Sequence, residues 1–247
     1  MEKYILLGII QGITEFFPIS SSAHLVIFQK IFGITGQELG LSIVLHLGTI
    51  FSLLIYFLKD ILNLFKNIKL ILLILVVTLV TGIIGILGKD FFESLFSLPK
   101  PVAVALIFTG IILIFTKKIK NNLKDTINFK DALILGLFQG LAIIPGISRS
   151  GITISTLLLR KIDKETSFRF SFLASIPAVF GATLLEAKKI EFAFKTNISG
   201  IIAGFIFSFL SGIFALGILK RVLNKAKFYY FGYYCIFLAI FTLIFIK

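Results

Sequence analysis

Gln11-Gly12-Ile13-Thr14-Glu15-Phe16-Phe17-Pro18-Ile19-Ser20-Ser21-Ser22-Ala23-His24 cuts through what would otherwise be one apolar run over residues 4–34. A carboxylate, a proline and three consecutive serines cannot lie in one lipid-facing helix. Each flanking arm is about 11–14 residues, and a spanning helix needs about 20. The stretch therefore predicts a hairpin of two short helices that enters the membrane and leaves by the same face. Gln11 and Glu15 are four residues apart and share one helical face. Pro18 ends that helix, and Ser20, Ser21 and Ser22 place hydroxyls at the start of the next, with His24 three residues after Ser21. The segment opens with a single basic residue, Lys3, and no small-residue cleavage site precedes Pro18, so it is expected to remain part of the fold.

The rest of the chain has the composition of a membrane protein. Of 247 residues, 57% are hydrophobic and only 15% charged, and the mean hydropathy is +1.04. Soluble domains are about 25% charged, so a water-facing surface could hardly be covered here. Disorder is excluded by the same figures. Cys235 is the only cysteine, so no disulfide framework exists. The net charge of +13 does not point to nucleic acid, because the basic residues fall in short loops between apolar runs. Six runs read as conventional spans: 41–58, 70–88, 101–116, 170–185, 198–219 and 228–246. A second interrupted run, 132–159, is cut by Gln139, Pro145 and Ser148-Arg149-Ser150, and reads as a second hairpin.

The basic residues orient this arrangement. With both interrupted runs treated as re-entrant, loops 59–69, 117–130, 160–169 and 220–227 share one side and carry 16 Lys and Arg, against 8 on the other. The richer side is expected to be cytoplasmic, with both termini outside. The two hairpins then enter from opposite faces, each followed by three spans. Leu7-Gly8-Ile9-Ile10-Gln11-Gly12 aligns with Leu135-Gly136-Leu137-Phe138-Gln139-Gly140, Pro18 with Pro145, and Ser20 with Ser148. The expected fold is thus all-α and polytopic: six transmembrane helices plus two re-entrant helical hairpins in an inverted-topology repeat. It forms a single membrane domain over 1–247, whose halves, about 1–116 and 130–247, are joined by the basic loop 117–130.

Glu15 is the one carboxylate and Arg149 the one guanidinium inside these apolar segments. A charge at such depth needs a partner or a function. An ion pair between the two would tie the hairpins together, yet it would leave the serines beside them unexplained. Pro145-Gly146-Ile147-Ser148-Arg149-Ser150-Gly151 feeds a helix start that offers hydroxyls, free backbone N–H groups and a guanidinium fork, all suited to phosphate oxygens. Two such starts facing each other suit a phosphate or diphosphate, with Glu15 able to hold a divalent cation against it. His46, inside the run 41–58, reads as a histidine bonded to a neighbouring helix, and Gln139, which has Ile143 where Gln11 has Glu15, as a link between helices. Tyr229, Tyr230, Tyr233 and Tyr234 read as an interfacial belt.

These two motifs resemble the paired signatures of the bacterial undecaprenyl-diphosphate phosphatases of the bacitracin-resistance type, in order and spacing along the whole chain. The resemblance implies hydrolysis of the terminal phosphoanhydride of a polyprenyl diphosphate, recycling the lipid carrier for cell-wall synthesis. It also implies dependence on Mg²⁺ or Ca²⁺, residence in the bacterial cytoplasmic membrane, and a site open to the extracytoplasmic side. Gln11 stands where the family pattern admits Glu or Gln, which leaves Glu15 as the clear acidic metal ligand. The roles expected on this basis are Glu15 and Gln11 for the metal, with Ser20, Ser22, Gly146, Ser148, Arg149 and Ser150 for the phosphates. Glu15, Ser21, His24 and Arg149 are the expected catalytic set, Ser21 as nucleophile with His24 as its proton partner. A metal-activated water is an open alternative to the serine. The expected partners are the polyprenyl diphosphate and membrane lipid, not nucleic acid, and a homodimer is compatible with the sequence. A transporter or flippase for a phosphorylated lipid is the alternative reading, because inverted repeats with broken helices are common among carriers.

Overall fold

Long apolar runs without two-residue alternation fold as helices, since only a helix satisfies its own backbone in lipid. The computed structural model describes residues 1–33, 38–95, 98–119, 124–186 and 197–245. Its helices are α1 (Glu2–Phe16), α2 (Ser21–Ile31), α3 (Glu38–Tyr56), α4 (Leu58–Leu64), α5 (Ile68–Leu87) and α6 (Lys89–Leu95). Then follow α7 (Pro99–Phe115), α8 (Phe129–Leu141), α9 (Arg149–Leu159), α10 (Lys164–Leu185), α11 (Ile198–Asn224) and α12 (Tyr230–Phe245). Among the described residues there is no strand, only a parallel bridge between Lys124 and Ile162. Lys120, Lys188, Lys189, Lys195 and Lys247, which enter the charge count, lie outside the described residues, as do the expected segment ends at 34 and 246.

Among the described residues four helices are long and apolar enough to cross a membrane: Ile68–Leu87, Lys100–Lys118, Lys164–Leu185 and Ile198–Asn224. The pair α3 and α4, bent by 70°, makes a fifth candidate, and Tyr230–Ile244 is a shorter apolar helix. The six expected spans fall on α3, α5, α7, α10, α11 and α12. Two boundaries differ by more than three residues. α10 starts at Lys164 rather than 170 because Asp163 caps it, accepting from Thr166 N–H at 3.0 Å. α11 runs on to Asn224, past the expected end at 219. The arms α1, α2, α8 and α9 have 15, 11, 13 and 11 residues. At about 1.5 Å per residue each is shorter than a hydrocarbon core of about 30 Å.

The burial pattern is that of a protein dissolved in lipid. α5 exposes Leu72, Leu75, Leu79, Ile83 and Ile86 and buries Leu73, Ile74, Val77 and Thr81. Polar side chains go inward instead: Gln11, His24, Gln139, Ser148, Ser150, Thr153, Ser171 and Ser208 are all buried. Packing follows the matched sequence segments. α1 lies along α11, and α8 along α5. A methyl group on Gly8 would sit 2.3 Å from the Gly204 carbonyl oxygen, and one on its counterpart Gly136 would sit 2.8 Å from Val80 Cβ, so both contacts need glycine. α7 packs on α12, and α11 also packs on α3.

One charged clip anchors the start of α8. Asp131 is fully buried, bonds Lys124 Nζ and Arg160 Nε at 2.8 Å each, and closes a capping box with Asn128. Burial opposes its charge, but Lys124, Arg160 and the Asn128 backbone N–H hold the carboxyl below the usual carboxylate range. The stability it adds is present above about pH 4 and is lost as pH falls through that lowered value.

Candidate active site

Pro18 forces the break that builds the site. Phe17, the residue before it, takes an extended conformation and ends α1. Ser20 then adopts φ +66°, a left-handed conformation uncommon for a residue with a side chain, and α2 begins at Ser21. The reversal folds the Ser21 hydroxyl back over the end of α1, where Oγ donates to Glu15 Oε2 at 2.7 Å. Gln11 Nε2 donates to the same oxygen at 3.2 Å.

The second turn uses glycine for the same purpose. Gly146 has φ +98°, and a methyl group there would lie 2.3 Å from the Val102 carbonyl oxygen. Ser148 caps α9, its Oγ accepting from Gly151 N–H at 3.2 Å, and its own N–H bonds Thr109 Oγ1 at 3.1 Å. Arg149, the first residue of α9, reaches across to Glu15: Nη2 donates to Oε1 at 2.7 Å. The guanidinium also lies over the Phe172 ring, 5.5 Å from its centroid. Its Nη1 is buried and has no partner. The turns touch elsewhere too, through a contact of 3.5 Å from Gly146 N to Ser22 Oγ. Ser20 with Ser22, and Ser148 with Ser150, are hydroxyl pairs at 3.1 and 3.3 Å.

Ser21, Gln11 and Arg149 therefore all bond Glu15, and the Glu15–Arg149 ion pair, weighed above as a purely structural tie between the two helix–turn–helix units, is made. His24 does not join them. Its Nδ1 faces the Ser20 carbonyl oxygen at 2.8 Å, and its Nε2 lies 2.7 Å from the Tyr234 hydroxyl, with the two rings stacked. A carbonyl only accepts, so Nδ1 carries the hydrogen and Tyr234 donates to Nε2. Both ring nitrogens are thus engaged, and the three-residue spacing from Ser21 does not bring the pair together. His46 joins Glu15 instead. From α3 its Nε2 lies 3.5 Å from Glu15 Oε2, while Nδ1 bonds the Ser42 carbonyl at 2.8 Å. The expectation that His46 bonds a neighbouring helix holds, its partner being Glu15 on α1. Tyr234, read as part of an interfacial belt, gave no sign in the sequence of its bond to His24.

The unpartnered donor of the site is Arg149 Nη1, and the starts of α2 and α9 present backbone N–H groups of the kind that suit an anion. Gln11 Oε1, buried beside Glu15, is the unpartnered acceptor. Among the described residues no three His, Cys, Asp or Glu side chains gather as a metal cluster. The oxygens of Glu15 and Gln11 nonetheless fit a cation that keeps much of its water or shares phosphate oxygens, as Mg²⁺ does.

These features define a class: a multi-pass α-helical membrane protein with a buried, anion-directed polar centre where two broken helical elements meet. The chain belongs to the family described as bacitracin resistance protein BacA, which matches residues 4–241. Similar proteins include the undecaprenyl-diphosphatase of Halothermothrix orenii, 46% identical over 98% of this chain and 96% of the relative. That of Carboxydothermus hydrogenoformans is 42% identical over 97% and 95%. That of Methanococcus maripaludis strain C6 is 38% identical over the full length of both.

Proposed function

We propose that this protein hydrolyses undecaprenyl diphosphate to the monophosphate and inorganic phosphate. The observation that carries this reading is the junction of Ser21, Glu15 and Arg149: a hydroxyl aimed at a carboxylate, beside a buried guanidinium with one nitrogen unpartnered. Arg149, Ser148, Ser150 and the N–H groups of the two helix starts bind the diphosphate and stabilise the charge that shifts during phosphoryl transfer. Ser20, Ser22 and Gly146 shape the facing turn. Ser21 Oγ attacks the terminal phosphorus and its proton passes to Glu15 Oε2. The bridging P–O bond breaks, and the lipid monophosphate leaves with the electron pair. A water then attacks the phosphoserine, one proton returns to Ser21, and inorganic phosphate departs. A divalent cation, Mg²⁺ or Ca²⁺, held by Glu15 and Gln11, would supply charge neutralisation for the diphosphate. His24 bonds the Ser20 carbonyl and so supports the turn that aims Ser21.

The topology proposed with this function is six spans and two re-entrant hairpins in an inverted repeat, in the bacterial cytoplasmic membrane, with the site open to the extracytoplasmic side. The short arms of α1, α2, α8 and α9 and the bias of basic residues support it. Purified protein in detergent should release inorganic phosphate from undecaprenyl diphosphate, and a carrier would not. For topology, cysteines placed at Lys118 and Lys89, with Cys235 replaced by serine, should label from opposite sides. Labelling of Lys118→Cys by an impermeant reagent in intact cells would overturn the orientation.

A further inference from the structure

At the far end of α9 from Arg149, a shallow pocket of about 280 Å³ lies between α7 and α9, lined by Phe115, Lys118, Ile119, Leu158, Leu159 and Lys161. Its lining is apolar except for the two lysines, and Phe115 and Leu159 are half exposed. Both lysines are placed by their surroundings. Lys118 closes the 3₁₀ turn Thr116–Lys118 that ends α7, and its Nζ sits 5.4 Å from the centroid of the Phe115 ring. Lys161 has a left-handed backbone, φ +63°, held from both sides. Its N–H donates to the Leu158 carbonyl at 2.9 Å, and its own carbonyl accepts from Lys124 N–H at 2.8 Å. Neighbouring cations are already engaged, Lys124 and Arg160 by Asp131 and Lys117 by the Tyr229 ring. Lys118 and Lys161 have no acidic partner among the described residues.

Two cations without a counter-charge beside an apolar hollow suit a ligand that is anionic at one end and hydrocarbon at the other. α7 belongs to the candidate span Lys100–Lys118, so Lys118 marks the level where hydrocarbon gives way to head groups. A phospholipid carries its phosphate at that level and its chains below it, whereas free phosphate would gain nothing from the apolar lining. Basic pockets between membrane helices take anionic head groups in this way. We propose that the pocket binds an anionic glycerophospholipid, its phosphate between Lys118 and Lys161 and an acyl chain against Phe115 and Leu159. α7 is already tied to the turn before α9, where Thr109 Oγ1 donates to the Gly146 carbonyl at 3.2 Å and accepts from Ser148 N–H at 3.1 Å. The lipid adds a second tie at the other end of α9 and so braces the arm that presents Arg149. This site lies apart from the Glu15 centre and does not depend on the phosphatase reading.

The chain has no tryptophan, so Phe115→Trp puts a single fluorophore in the pocket and keeps a ring beside Lys118. The full-length protein in detergent is titrated with phosphatidylglycerol brominated on its acyl chains, and with phosphatidylcholine brominated alike. Quenching should saturate at one lipid per chain, with phosphatidylglycerol bound about 25-fold more tightly, roughly fivefold for each lysine. Lys118→Gln should cut that preference about fivefold. Lys161→Gly should cut it equally, and because glycine suits the left-handed backbone, its loss is not one of added strain. The double variant should bind the two lipids alike. Lys66→Gln, which removes an exposed lysine between α4 and α5, should leave the preference unchanged. Equal binding of the two lipids by the Phe115→Trp parent would overturn the site. An equal loss in Lys66→Gln would do the same, since it marks a diffuse charge effect. Competition by millimolar inorganic phosphate would make this a free-anion site, and displacement by equimolar undecaprenyl phosphate would make it a second seat for the polyprenyl lipid. Either result overturns the proposal, and none of these measurements reads phosphate release.

Discussion

The helix–turn–helix unit of α1 and α2 and that of α8 and α9 start from nearly the same residues and end in different chemistry. Each has a glycine face packed on a long helix, a buried glutamine, a proline break and serines at the second helix start. In the first unit Gln11 bonds Glu15, whereas in the second Gln139 bonds Thr81 on α5, and the position of the carboxylate is filled by Ile143. The left-handed residue is Gly146 in the second turn, where it costs little, but Ser20 in the first, where it stores on the order of 1–3 kcal/mol of strain. The first unit thus carries the acid, the hydroxyl aimed at it and the strain, and the second carries the cation. A site shared this way has one working face, although its scaffold has two similar halves.

The sharpest way to break the comparison is to remove the hydroxyl from each unit in turn. Ser21→Ala should lower turnover by about 10³-fold or more, because the attacking group itself is lost. Ser150→Ala, which removes one hydroxyl near the phosphates, should cost about 10- to 150-fold, the equivalent of 1.5–3 kcal/mol for a bond to a charged group. Single-turnover phosphate release on folded protein measures both. A Ser21→Ala enzyme retaining a tenth of wild-type turnover would make water the attacker and the two serine sets equal in kind.

Arg149→Lys keeps the charge but not the planar fork, which here must bond Glu15 through Nη2 while Nη1 stays available for phosphate. A fall of about 10²-fold in kcat/KM is expected. Near-normal kinetics in the Lys variant would mean that the second unit contributes only a point charge.

Much of this site was legible before any coordinates. A carboxylate and a guanidinium in apolar segments had to meet each other or a ligand, and Glu15 and Arg149 do meet, 134 residues apart. Helix starts at Ser21 and near Ser148 followed from Pro18 and Pro145. His24 was harder, because i, i+3 spacing puts two residues on one face only within a regular helix. Ser21 is the first residue of α2, and its hydroxyl follows the reversed turn back to α1 instead. The place of His46 depends on how α3 lies against α1, and no periodicity in either segment encodes that. Tyr234 was hidden for the same reason, since the contact of α12 with His24 joins residues 210 positions apart.

If His24 acts by fixing the strained Ser20, its loss should be felt through the turn. His24→Ala should reduce kcat by about 10- to 100-fold, more than Tyr234→Phe, which removes only the hydroxyl bonded to the ring. The double variant should be little worse than His24→Ala alone, because the two residues act in series. Additive losses would show that Tyr234 has a task of its own. The same substitution tests whether the first turn pays for its conformation with this one contact, since Ser20→Gly in the His24→Ala background should restore part of the rate.

The smallest effect comes from the glutamines, and it isolates the carboxylate as the source of the asymmetry. Gln139→Leu breaks a buried bond from α8 to Thr81 that touches nothing in the site. Interhelical bonds of this kind in membranes are worth about 0.6 kcal/mol on average, with a maximum near 1.7. The variant should unfold slightly more easily in denaturing detergent and turn over substrate at the wild-type rate. Gln11→Leu removes the matching amide from α1, with a comparable effect on unfolding, but it also strips a donor from Glu15 Oε2 at 3.2 Å. Its kcat should therefore fall several-fold. The informative quantity is the difference between the two. Equal effects on turnover would mean that either glutamine acts only by packing, and that Glu15 is oriented by Arg149 and Ser21 alone. Unequal effects, with stability changed alike, would trace the divergence of the two units to the single acid that one has and the other lacks.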